Sequence, residues 1–170
     1  MPVPPQRRTE PLSVLPHTVA DFVLGAAERD GASPDRVVLV DGRRRVTWAE
    51  LDRAVRTRAA GLRQLGLDAG DRVVLQLGTG VDFVEVYLGA LHAGLVAVPV
   101  NPAYTVPELH YVLADCAARA LVTSSVGALT DLDRLRAELP TLEFVVSAAG
   151  SDPSDGVVAL SSLTGAEDAP

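Results

Sequence analysis

Val73-Val74-Leu75, then Gly78-Thr79-Gly80, then a mostly apolar stretch from Val81 to Ala93, then Gly94 and Leu95-Val96-Ala97-Val98-Pro99-Val100: this run decides the fold. Two short β-rich pieces flank one helix-length piece, and glycines mark both junctions. Strand, helix and strand in that order make a βαβ unit, with parallel strands and a right-handed crossover. The helical piece carries Phe83, Val84, Val86, Tyr87, Leu88 and Leu91. It is apolar nearly all round, which predicts burial between layers.

The alternation continues towards the C-terminus. Thr105-Val106-Pro107-Glu108 opens a capped helix with Leu109, Val112, Leu113 and Cys116 inward. Ala120-Leu121-Val122-Thr123 is a strand, a helix is expected from about Ala128 to Leu139, and Glu143-Phe144-Val145-Val146 is the next strand. Towards the N-terminus, Thr47-Trp48-Ala49-Glu50 is a capping box. It opens a helix striped by Trp48, Leu51, Val55, Ala59, Leu62 and Leu65 and stopped at Gly66. Arg36-Val37-Val38-Leu39-Val40 and Arg44 to Val46, either side of the Asp41-Gly42 turn, predict a small edge hairpin. Thr18 and Asp21 start one more helix, with Val19, Phe22, Val23 and Ala26 as its apolar stripe. The fold class is therefore α/β: a mostly parallel sheet with helices on both faces, plus a small edge hairpin. Residues 1–17 read as a flexible lead-in, 18–146 as the α/β subdomain, and 147–170 as a linker-like tail with one weak apolar piece, Val157-Val158-Ala159-Leu160.

Composition narrows the chemistry. The 170 residues are 48% hydrophobic but only 4% aromatic, so the core is aliphatic, as buried parallel strands require. The net charge of −7 disfavours nucleic acid. All 15 basic residues are arginine, so no phosphate-loop, Schiff-base or other catalytic lysine is present. The single cysteine, Cys116, cannot form an internal disulfide and suits a reducing, cytoplasmic setting. No apolar run reaches the length of a membrane span, and Arg7-Arg8 is not followed by the apolar region of an export signal.

The candidate chemical groups all have structural readings. Gly78-Thr79-Gly80 stands where a dinucleotide fingerprint would begin, but the third glycine position is Phe83, so a tight strand-to-helix turn is the better reading. His17, His92 and His110 form no pair at helical spacing for a metal; His92 falls in a last helical turn, where a partly cationic ring suits the dipole. Asp131, Asp133 and Glu138 mark a solvated face, Glu50 and Glu108 are capping residues, and Asp41 and Asp71 sit in turns. Ser124-Ser125 is a polar strand end and no nucleophile elbow surrounds a serine. No catalytic, cofactor-binding or metal residue is assigned.

Three ordered segments resemble the start of the adenylate-forming (AMP-binding) acyl-CoA synthetases. They are Val46-Thr47-Trp48-Ala49-Glu50-Leu51, the spacer Gly70-Asp71-Arg72-Val73-Val74, and the stretch from Tyr87-Leu88-Gly89 through Ala93-Gly94 to Asn101-Pro102. Asn101-Pro102 with Tyr104-Thr105 and Glu108 resembles acyl- or aryl-CoA ligases. The resemblance implies the first subdomain of the family's N-terminal domain. For the whole enzyme it implies ATP, Mg²⁺, coenzyme A and a small-molecule carboxylic or fatty acid as reactants, giving acyl-CoA, AMP and pyrophosphate, and so a place in fatty acid metabolism. Gly78-Thr79-Gly80 departs from the Pro-Asn-Ser-like stretch usual there, and Thr164-Gly165 does not match the Ser/Thr/Gly-rich phosphate loop ending in Pro-Lys. That loop, the nucleotide motifs and the catalytic lysine are absent. The expectation is a fragment that is silent alone, binds no cofactor alone, and has the remainder of the synthetase as its partner. A free-standing α/β interaction or ligand-binding module is the alternative, and a small nucleotide-binding oxidoreductase a weaker third.

Overall fold

The computed structural model describes residues 18–29, 31–125, 132–149 and 156–164. The expected lead-in, the Arg7-Arg8 pair, His17, Asp131 and Gly165 lie outside them.

Five strands form one all-parallel sheet: β3 (Arg72–Gln76), β4 (Val96–Pro99), β5 (Ala120–Thr123), β6 (Phe144–Ser147) and β7 (Val157–Ala159), in the spatial order β4-β3-β5-β6-β7. β1 (Val37–Asp41) and β2 (Arg44–Thr47) form a separate antiparallel hairpin. Both features follow the expectation from strand alternation and the Asp-Gly turn.

Helices cover both faces. Ala59 and Leu62 of α3 (Trp48–Gln64) and Val86 and Ala90 of α4 (Val81–His92) pack with Val73, Leu75, Ala120, Val122 and Val146 on one face. Leu109 and Leu113 of α5 (Val106–Asp115), with Leu135 and Leu139 in and just after α6 (Leu132–Glu138), pack with Val74, Leu121 and Val145 on the other. Odd and even strand residues thus serve opposite faces, as the pleat demands. A third cluster joins the hairpin and α1 (Val19–Leu24) to α3 and α4 through Val46, Leu51, Val55, Val81, Leu88 and Ala20. A short helix, α2 (Ala26–Arg29), follows α1.

Two local expectations change. On α1 the inward residues are Ala20, Val23 and Leu24, while Val19 and Phe22 stand more than half exposed. Phe22 instead lies under the Arg29 guanidinium, 4.4 Å from ring centroid to charge. The tail is not a linker throughout. Val157–Ala159 adds β7 to the sheet, paired to Val145–Ser147, and Leu160 and Leu163 are buried. A three-residue strand is too short to show a period, and its apolar piece earns its place through long-range packing.

Candidate functional site

β3 to β4 runs through α4 on one face; β4 to β5 crosses back over β3 through α5 on the other. The connection reverses between β3 and β5, and ligands of open α/β sheets bind outside the carboxyl ends of the strands at such a switch point. The residues there are Gln76 and Thr123, the last of β3 and β5. Both are buried. The Thr123 hydroxyl donates to Gln76 Oε1 at 3.0 Å and accepts from the Ser125 amide at 2.9 Å. Gln76 Nε2 donates to the carbonyls of Tyr104 at 3.2 Å and Pro102 at 3.4 Å. One amide side chain therefore ties the two central strands to the loop after β4.

That loop is built locally. Asn101 Oδ1 accepts from the Ala103 amide at 2.9 Å and the Asn101 carbonyl from the Tyr104 amide at 3.1 Å, an Asx turn. Thr105 and Glu108 then close a capping box, with Glu108 accepting from the Thr105 amide and hydroxyl. Those two bonds hold the Glu108 carboxyl below the usual carboxylate range. Tyr104, Pro107, Glu108, Tyr111 and Val112 line a shallow groove of about 400 Å³ beside the loop. Sequence pattern marks Thr123 only as a strand residue and leaves Gln76 without a role. Their signal was available: a polar residue ending an otherwise apolar strand of a parallel sheet.

The Gly78-Gly80 turn behaves as a turn, but its partner is distant. Asp41, at the hairpin end, accepts the Val81 amide at 3.2 Å and so caps α4 from forty residues away. A Cβ on Gly80 would meet Asp41 Oδ2 at 2.8 Å. Helix α1 is capped by Thr18 and Asp21, and α3 by Thr47 and Glu50. Four helix N-termini, the ready-made sites for an anion, are thus each taken by a carboxylate of the chain itself.

The histidine candidates pair with acids on neighbouring helices. His92 Nδ1 lies 3.1 Å from Asp21 and joins the end of α4 to α1; His110 lies 3.3 Å from Glu138 and joins α5 to α6. Burial raises Asp21, but the Thr18 bonds and His92 outweigh it and hold its carboxyl below the ordinary value. Burial raises the Cys116 thiol, which disfavours its thiolate form. Among the described residues, no three His, Cys, Asp or Glu side chains are grouped to hold a metal.

A profile of the AMP-binding enzyme family matches residues 27–167. The chain belongs to the AMP-binding enzyme family.

It corresponds to an N-terminal portion of that family's AMP-forming CoA ligases. The salicyl-AMP ligase / salicyl-S-ArCP synthetase of Mycobacterium tuberculosis is 36% identical over 135 residues, covering 74% of this chain and 24% of its own length. A long-chain-fatty-acid–CoA ligase of Mycobacterium bovis is 33% identical over 148 residues, covering 85% of this chain and 24% of its own. The crystal structure of an anthranilate CoA ligase with anthranoyl-AMP superposes with a TM-score of 0.76 at 26% identity, over 89% of this chain and 29% of that one. The chain spans about a quarter of the curated relatives it matches. Membership among the AMP-binding CoA ligases implies ATP, Mg²⁺ and coenzyme A for a full-length enzyme. The described residues do not fit the phosphates or the metal: Asp41 fills the Gly80 start of α4, the sequence has no lysine, and no metal-holding acid cluster is formed among the described residues. No helix among the described residues is long and apolar enough to cross a membrane.

Proposed function

We propose that this chain is the scaffold part of an AMP-forming ligase. The whole enzyme would join a carboxylic acid to a thiol through an acyl-adenylate, and the 170 residues would be silent alone. The observation that carries the proposal is the family match over residues 27–167 in a chain that covers only about a quarter of its relatives' length. The chemistry of the switch point supports it. Gln76 and Thr123 are neutral and mutually satisfied, so they position a loop and supply neither a general base nor a cation for a transferring adenylyl group. The remainder of the synthetase is the partner, coenzyme A the thiol, and the cytoplasm the site of action. Aromatic-acid and fatty-acid ligases match about equally well, so the acid is either class.

The test is acid-dependent exchange of pyrophosphate into ATP, with a panel of aromatic and fatty acids. It is run on the chain alone and on the product of the whole reading frame to which it belongs. The expected result is no exchange from the chain and exchange from the whole product. Exchange by the chain alone overturns the silent scaffold. A whole product inactive with every acid favours the free-standing module instead. One observation supports that second reading: α4, whose nearly all-round apolar sequence predicts burial between layers, is covered by α1, α3, β1 and the sheet within this chain.

A further inference from the structure

We propose that residues 156–163 form a strap that docks as a unit on the otherwise finished sheet. Arg136 clamps one end and Arg58 the other. Its use in placing the rest of a ligase rests on the function proposed above; the strap itself does not.

β7 is an edge strand of three residues, bonded to β6 on one side only. That ladder is short, and the anchors lie elsewhere. Val157 enters the cluster under α5 and α6, while Leu160 and Leu163 enter the cluster under α3 and α4. Arg136 of α6 donates to the Gly156 carbonyl. Arg58 of α3 donates through Nη1 to the carbonyls of Leu160 at 2.7 Å and Leu163 at 3.4 Å. Arg58 Nη2 faces Glu85 Oε2 of α4 at 3.4 Å, and Arg44 of the hairpin holds the other Glu85 oxygen at 2.6 Å. Glu85 is 3% exposed, so it needs these arginines as charge partners. The Arg58 guanidinium is therefore aimed at the strap by a carboxylate on a neighbouring helix.

Gly61 makes the seat. A Cβ there would lie 2.7–2.9 Å from Leu163 Cβ, Cα and carbonyl carbon. At the other end Gly156, at φ +81°, leaves the space that the Arg136 guanidinium fills. Segments held by few ladder bonds open without the rest of a fold, whereas β3 and β5 are flanked on both sides.

The test is native-state hydrogen exchange on the full chain. Gly61→Ala puts a better helix former into α3, so without a strap the variant should be equal or more stable everywhere. With the strap, amides of residues 157–164 exchange on the order of tenfold faster or more, while those of β3 and β5 hold or slow. Arg58→Met, which loses charge-assisted bonds, gives the same local acceleration of about tenfold, and Arg58→Lys restores part of the protection. Arg58→Met/Glu85→Gln removes the opposing charge as well and gives the same reading if Arg58→Met alone folds poorly. Unchanged exchange at 157–164 in either Gly61→Ala or the Arg58 variants overturns the proposal. So does equal acceleration through β3 and β5, which would make the segment an integral strand. An inactive whole product in the pyrophosphate assay would leave this result untouched, so the two failures are separable.

Discussion

The two ends of the same parallel strands are finished in opposite ways. At the amino end the chain spends charge. Arg72 donates to the carbonyls of Cys116 at 2.8 Å and Ala117 at 2.6 Å, and Arg119 bonds both Asp71 and Glu143. The Arg72 bonds fall where a brace is needed, because Ala117 sits at φ 47°, a conformation costly for any residue with a Cβ. At the carboxyl end the central pair is neutral: Gln76, Thr123 and the backbone of the Asn101 loop. Charges at the amino end are consumed as structure. At the carboxyl end, where this class of sheet binds ligands, the strands end in groups that hold a loop without adding a fixed charge.

The largest expected effect lies at the neutral end. Thr123→Val removes the hydroxyl that donates to Gln76 Oε1 and leaves a buried amide oxygen unpaired. It should destabilise the chain by about 1–3 kcal/mol in urea unfolding. A loss within error would mean that solvent reaches this crevice and that the two ends are not as different as drawn.

The second effect sharpens the same point. In Gln76→Leu/Thr123→Val both polar partners are gone, so the double variant should cost clearly less than the sum of the two single variants, by about 0.5–3 kcal/mol. Simple additivity would show that the two side chains act independently.

The smallest effect separates the ends by pH. Burial raises the Asp71 carboxyl, but the Asp68 amide and then Arg119 outweigh it and set it below its ordinary value. A depressed acid contributes stability above its unfolded value of about 4 and loses it as pH falls through the folded value. Asp71→Asn should therefore lower stability at pH 7 and flatten its decline below about pH 4, whereas Thr123→Val should lower the whole curve evenly. A flattened curve in the Thr123 variant, or an unchanged one in the Asp71 variant, would break the comparison.

Local signals were legible in the sequence wherever donor and acceptor lie within one turn. The capping boxes at Thr18 and Asp21, Thr47 and Glu50, and Thr105 and Glu108 are all present, and the helices begin where those boxes place them. The four Val-rich runs expected in the parallel sheet take their places, and the Asp-Gly turn makes its hairpin. What escaped was each polar residue whose partner is far along the chain: Asp41 with Val81, Gln76 with Thr123, and Glu85 with Arg44 and Arg58. Glu85 was especially opaque. Beside Asp82, which stays half exposed on the same helix, Glu85 reads as part of a solvated edge until the arginines that neutralise it are placed.

Periodicity, caps and turn residues act over a few residues, so the sequence by itself determined the order of elements, their parallel pairing, the absence of a lysine and the family. Which strand ends meet, which carboxylate fills the start of α4, and that Val157–Ala159 is a strand were decided only by tertiary structure. Those contacts reach from 12 positions in the β6–β7 ladder, through 40 between Asp41 and Val81, to 105 between Arg58 and Leu163. Their free energy comes from burial that exists only once both faces of the sheet are packed.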